Sequence, residues 1–228
     1  MTRIILYAAV LEAAYLTLSF GLAQHYGQWS YEGEMIRTGL RVISIIIYSY
    51  YYKRYFYSGQ QSFNPKATLT PQFVAAVSLL LVFAIIYTNA EKETILWQIV
   101  FAVSGMIAGL REELFYRGII QNTLQKNYSY KIALVTTTVI FVSSHIQYIY
   151  YGQLYGLLFI ACAGIIFGSI FIMTGSVALT AGIHGLYDAL LSINVIPFRI
   201  SNGIALPLLC LIMMVFLVIN KKLFRPEK

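Results

Sequence analysis

Arg111-Glu112-Glu113-Leu114-Phe115-Tyr116-Arg117-Gly118 is the stretch on which the reading of this chain turns. It follows an apolar run long enough to lie in a bilayer, where two adjacent carboxylates and two guanidiniums are expensive to desolvate. On a helix Glu113 and Arg117 are four residues apart, share a face and can pair. Glu112 lies about 100° round from Glu113 and is left free for another task.

The surroundings of this stretch are those of a membrane protein. The chain has 228 residues, 59% hydrophobic and 11% charged, with a mean hydropathy of +0.70. A soluble domain of this size carries about a quarter charged residues. The fold expected is therefore all-α: a polytopic bundle of about eight transmembrane helices, forming a single membrane domain over residues 1–228. The net charge of +7 sits in short loops between apolar runs. It reads as topology signals and headgroup contacts, so the lipid bilayer is the expected partner and nucleic acid is not. Cys162 and Cys210 both fall inside apolar runs and read as free thiols.

Eight apolar stretches approach the roughly 20 residues that span a bilayer. They cover residues 4–24, 36–52, 71–89, 94–111, 132–150, 154–174, 177–195 and 204–220. The first is too long for a cleaved signal peptide, although Gly21-Leu22-Ala23 resembles a cleavage site. Glu12, in its middle, reads as a buried carboxyl bonded to a neighbouring helix. The second ends in Tyr48, Tyr50, Tyr51, Tyr52, Lys53, Arg54, Tyr55, Phe56 and Tyr57, an interfacial belt of rings and cations. A polar linker with Gly59, Asn64, Pro65 and Pro71 follows. Arg3, Lys53, Arg54, Lys66, Lys126, Lys131, Lys221, Lys222, Arg225 and Lys228 fall on one side of the spans, and only Lys92 and Arg199 on the other. That bias places both termini in the cytoplasm of a multi-pass membrane protein. Arg37, Arg41, Arg111 and Arg117 do not enter the count.

Between Thr94 and Val195 the remaining ionisable groups, apart from Lys126 and Lys131, are Arg111, Glu112, Glu113, Arg117, His145, His184 and Asp188. Phe141 and His145 are four apart, as are His184 and Asp188, so each pair shares a helix face. Water-dependent hydrolysis suits such a set. A carboxylate shielded from bulk water can act as general base toward a water molecule, and imidazoles can hold that water, donate to an oxyanion or bind a metal. Gly105, Gly109, Gly118, Gly182 and Gly185 would let helices close around the cavity. Ser143 and Ser144 flank His145, but neighbours on a helix do not face each other, which disfavours a serine–histidine pair. Taken singly, Glu113 with Arg117 reads as a structural ion pair, and His184 with Asp188 as an interhelical clamp.

At these residues the chain resembles a known family: the CAAX-protease and bacteriocin-processing (CPBP) intramembrane proteases, also called the Abi or type II CAAX prenyl endopeptidase family. Its motifs Glu-Glu-x-x-x-Arg, Phe-x-x-x-His and His-x-x-x-Asn/Asp stand in order as Glu112-Glu113…Arg117, Phe141…His145 and His184…Asp188. The match covers about residues 94–195, and the N-terminal helices over about 4–89 carry no diagnostic residue. The resemblance implies an endopeptidase with its site in the membrane, open to the cytoplasmic leaflet, acting on a membrane-associated or lipidated peptide or protein. It implies that Glu112 and His145 activate water, that His184 and Asp188 hold that water or stabilise the oxyanion, and that Glu113 and Arg117, with Phe141, brace the site. Both a metalloprotease mechanism and a metal-free glutamate mechanism have been assigned to the family. A zinc ion, if used, would fall to Glu112, His145, His184 and Asp188, and the metal-free route is the slightly favoured one. An ionised Asp188 accepts but does not donate, so it is protonated, or it orients His184, or it binds a metal. Two other classes compete: a bacteriocin-immunity or abortive-infection-type membrane protein that binds without turnover, and a proton or ion relay in a transporter. The second would call for inverted repeats with broken helices, which are absent.

Overall fold

The computed structural model describes residues 2–57, 64–87, 94–152, 154–193 and 202–220, and among them there is no strand. Gly59, Lys92, Arg199, Lys221, Lys222, Arg225 and Lys228, used above for the linker and the orientation, lie outside the described residues. The helices are α1 (Thr2–Tyr26), α2 (Tyr31–Tyr51), α3 (Pro71–Tyr87), α4 (Ile95–Glu113), α5 (Asn122–Asn127), α6 (Tyr130–Ser143), α7 (Gln147–Tyr150), α8 (Leu154–Thr174), α9 (Val177–Ser192) and α10 (Asn202–Ile219). Side-chain caps start several of them. Ser30, Thr94, Ser129 and Ser176 accept from the backbone N–H of Gly33, Trp97, Ile132 and Leu179. Between α8 and α9 the chain reverses at Gly175, whose φ of +66° suits a residue without a Cβ.

Each of the eight apolar stretches contains a helix, and two boundaries differ from expectation. The fourth does not stop at 111. A π-helical segment, Leu114–Gln121, joins α4 to α5, so the helix runs unbroken from Ile95 to Asn127. The fifth ends at Ser143 rather than 150, and His145 stands in the turn beyond it. Among the described residues three helices, Ile5–Tyr26, Ile95–Asn127 and Leu154–Thr174, are long and apolar enough to cross a membrane. Pro71–Ala84, Tyr130–Ser143 and Pro207–Val218 are shorter apolar helices. Leu6, Val10 and Leu18 on α1, and Ile43 and Ile46 on α2, are exposed. Such apolar faces suit contact with lipid rather than water.

Two apolar cores lie in the bundle. Leu80 and Phe83 of α3 pack with Phe167 and Ile170 of α8, Tyr187 of α9 and Phe216 of α10. Tyr48, Phe115, Ile119, Phe141 and Phe171 build the other around the π segment. The closest helix pair is α4 with α9. A Cβ on Gly109 would stand 2.6 Å from the Gly185 nitrogen, and one on Gly105 would stand 2.9 Å from the Asp188 Cβ. Gly118 plays a similar part against the Tyr52 ring, 3.0 Å from where its Cβ would be. Gly182 does not: a Cβ there meets nothing within 4 Å, because it faces away from the bundle.

The bundle has two distinct ends. At one, Trp97 Nε1 donates to the Trp29 carbonyl over 3.4 Å, the hydroxyls of Tyr31 and Thr94 are 3.1 Å apart, and Gln24 donates to Tyr151 over 3.0 Å. At the other, Asn64 N–H donates to the Thr174 carbonyl over 3.1 Å and Asn122 to the Phe56 carbonyl over 3.2 Å. We refer to these as the tryptophan end and the basic end, since Lys53, Arg54, Lys66, Lys126 and Lys131 belong to the second.

Gly109→Ala is expected to force α4 and α9 apart and to cost about 1–3 kcal/mol, the usual price of overpacking. Thermal melting in detergent checks this, with Gly182→Ala, which should melt like the wild type, as the comparison.

Candidate functional site

Desolvated charge decides what surrounds the site. Glu12 of α1 accepts from Arg111 in a bidentate pair, at 2.8 Å from Nη2 and 3.1 Å from Nη1. It also accepts from Tyr48 over 2.7 Å and Tyr116 over 3.0 Å, and the Arg111 guanidinium lies 3.6 Å from the Tyr15 ring centroid. The expectation that Glu12 is a buried, bonded carboxyl holds. This clamp ties α1 and α2 to the segment one residue before Glu112.

Glu113 and Arg117 are fully buried and pair over 3.2 Å, as their spacing predicts. The π segment then aims Arg117 and Gln121 at α8, where they donate to the carbonyls of Gly164 over 3.2 Å and Gly168 over 3.0 Å. Both acceptors are glycines because the helices meet there. A Cβ on Gly168 would lie 2.3 Å from Leu134 Cδ1. Glu113 also has a second partner, the Nδ1 of His184 at 2.9 Å. A carboxylate can only accept, so Nδ1 carries the proton and Nε2 is the atom turned toward the cavity. Phe167 stacks on the His184 ring at 4.1 Å and 23°.

His145 is held in the same sense. Its Nδ1 is 2.7 Å from the Phe141 carbonyl, which fixes Nδ1–H as donor and presents Nε2. Ser144 Oγ comes within 3.2 Å of that Nδ1. The adjacent residues do meet, contrary to the helical argument, because the helix has already ended. The contact is on the braced face of the ring, and Ser144 donates to the Phe141 carbonyl over 2.7 Å. Phe141 packs against the rings of His145 and His184 and under the Arg117 guanidinium, 5.3 Å from its centroid.

Glu112 faces both Nε2 atoms. It is 3.9 Å from that of His145 and 3.9 Å from that of His184, and accepts no hydrogen bond among the described residues. Asp188 Oδ2 is 3.6 Å from the His184 Nε2. These distances are too long for direct hydrogen bonds and are of the kind a shared water spans. The four side chains line one cavity of about 460 Å³. Its wall also carries a network the sequence reading left aside. Glu34 accepts from Arg37 over 2.6 Å and from Arg41 over 2.5 Å, and Ser104 bonds to both Glu34 and Arg41. The signal was present: positions 34, 37 and 41 recur at helical spacing on one face. Phe167 and Tyr15 had none, being single rings in a chain rich in rings.

The ligand types suit zinc, but among the described residues no three His, Cys, Asp or Glu side chains are placed to hold a metal ion. The two Nε2 atoms face the Glu112 carboxylate, that of His145 on the side of Oε1 and that of His184 on the side of Oε2.

Residues 92–190, less than half of the chain, match the family model described as "Type II CAAX prenyl endopeptidase Rce1-like". The matched segment contains all three motifs, and the family model is that of the family those motifs resemble. Comparisons with curated proteins and with solved structures give no match.

Glu12→Gln would leave Arg111 buried against a neutral amide. Breaking one partner of a buried pair costs about 3–5 kcal/mol, so poor accumulation and a lowered melting temperature are expected. The double variant Glu12→Gln/Arg111→Met should recover part of the loss, read by yield and melting in detergent.

Proposed function

We propose that this protein is an intramembrane endopeptidase that hydrolyses a peptide bond in a membrane-associated or lipidated peptide or protein through water activated by Glu112. The observation that carries this reading is the setting of Glu112. Glu12, Glu34 and Glu113 are each taken by cations or imidazole, whereas Glu112 stands without a hydrogen bond among the described residues, between two imidazole nitrogens on a cavity wall. The family match over residues 92–190 supports the endopeptidase part of this reading. Binding without turnover calls for no such carboxylate. The chain is taken as one multi-pass membrane domain whose eight apolar segments cross the bilayer, with both termini cytoplasmic.

In the proposed reaction Glu112 removes a proton from a water lying between it and His145 Nε2. The resulting hydroxide attacks the scissile carbonyl carbon, and the carbonyl oxygen becomes an oxyanion. Collapse expels the amine, which takes the proton held by Glu112, leaving a carboxylic acid and an amine. His184 faces the reacting carbonyl, positioned by Glu113 at Nδ1, by stacking on Phe167 and by Asp188 beside Nε2. The proximity of Asp188 to Nε2 favours orientation of His184 among the three roles open to it. Arg117, ion-paired with Glu113 and hydrogen-bonded to the Gly164 carbonyl of α8, keeps the motif helix in register.

Removing a general base costs about 10²–10⁴ in rate. Glu112→Gln, purified in detergent beside the wild type, is therefore expected to lose cleavage of a quenched peptide library while melting normally. Running the library with and without a lipidated cysteine identifies the substrate class. No cleavage by either protein, with the cellular phenotype unchanged by Glu112→Gln, would replace the protease with a binding protein.

A further inference from the structure

Among the described residues, the cavity that holds Glu112 opens toward one end of the bundle. The lining residues lie toward the tryptophan end of the helices that carry them, with α4 lining the cavity from Trp97 down to Glu112. Alpha1 contributes residues between Tyr15 and Ala23, near its C-terminus, and α2 contributes Glu34, Arg37 and Arg41, near its N-terminus. From α8 come residues Gly156 to Phe167, the first part of that helix, and from α9 His184 to Ser192, the last part. Gln28, Trp29, Trp97, Gln147, Tyr148 and Tyr151 form the rim. Glu112 lies 15 residues beyond Trp97 on a continuous helix, roughly 22 Å at 1.5 Å per residue. Toward the basic end the way is shut. Leu114 through Thr123 are all buried, and Arg117 and Gln121 are bonded across to α8.

The basic residues are distributed the other way. Lys53, Arg54 and Lys66, between α2 and α3, and Lys126 and Lys131, around the start of α6, belong to the closed end, and Lys221, Lys222, Arg225 and Lys228 follow α10 in the sequence. At the tryptophan end the described connections, Gly27–Ser30 and Ser144–Gly152, contain no lysine or arginine. Arg37 and Arg41, which face the cavity near that end, are held by Glu34. Basic connections are retained on the cytoplasmic side during insertion. In this fold a cytoplasmic position for both termini and a cavity open to the cytoplasmic leaflet exclude each other, since the opening and the basic loops are at opposite ends.

We infer that the catalytic cavity is entered from the extracytoplasmic side, and that its substrates are peptide segments displayed on the outer face of the membrane, such as exported or membrane-tethered peptides, rather than lipidated proteins of the cytoplasm. The side of entry rests on the fold and the charge pattern. That the entrant is a substrate rests on the protease reading above.

Cysteine labelling tests the side of entry without any need for turnover. In a Cys162→Ala/Cys210→Ala background, Tyr150→Cys reports the tryptophan end, Lys126→Cys the basic end and Ala108→Cys the cavity one turn before Glu112. A small membrane-impermeant maleimide applied to intact cells is expected to label the first and third fully and to label Lys126→Cys only after lysis. The reverse pattern, labelling of both ends in intact cells, or an Ala108→Cys reached only after lysis would overturn the inference. A parallel assay adds a cleavable peptide to intact cells and to inside-out vesicles. Cleavage by cells is expected, and cleavage by inside-out vesicles alone would overturn the assignment of substrate side. Absence of cleavage in both, with the predicted labelling, would remove the protease reading and leave the entry side standing.

Discussion

A guanidinium or carboxylate cannot be left bare in an apolar interior, and the arrangement of this bundle follows from how each is neutralised. Arg111 reaches α1 for Glu12, Arg117 reaches back to Glu113, and Arg37 and Arg41 share Glu34. The first pairing draws α4 to α1, while the others neutralise charge within one continuous helix. The net result is selective: the two positions flanking Glu112 are both committed to partners, so the backbone that carries Glu112 is fixed while its own carboxylate is not consumed. Removing one member of such a pair is far more damaging than never having had it, which is why these contacts act as positional constraints more than as sources of stability.

Close backbone approach is the second constraint. Gly105 and Gly109 on α4 and Gly185 on α9 let the helices touch where His184 and Asp188 must come beside Glu112. The π-helical turn after Glu113 redirects the following side chains, so that Arg117 and Gln121 meet carbonyls of α8 rather than lipid. Such segments inside longer helices are commonly found at functional sites. Here the departure from α geometry closes the cavity at the basic end, and it thereby sets the direction from which the site can be reached.

The imidazoles illustrate how a tautomer becomes a structural property. Glu113 fixes Nδ1 of His184, and a main-chain carbonyl at a helix end fixes Nδ1 of His145. In both rings the nitrogen left over is Nε2, and both point at one carboxylate. The cavity that results is polar at its inner wall and aromatic at its rim, the form of a site that admits an amphipathic chain.

By itself the sequence determined that this is an all-helical membrane protein, where the apolar segments lie, and which ionisable residues stand out, because composition and period are local properties. The i,i+4 contact of Glu113 with Arg117 and the burial of Glu12 were legible for the same reason. It also identified Glu112, His145, His184 and Asp188 as one set through three spaced motifs, although no local rule states that they converge. Tertiary structure alone decided the rest. The partner of Arg111 is 99 residues away, the stacking of Phe167 on His184 depends on how α8 meets α9, and His145 lies in a turn rather than on a helix face. Which end of the bundle the cavity opens to is likewise a relation among seven helices, and no segment read singly contains it.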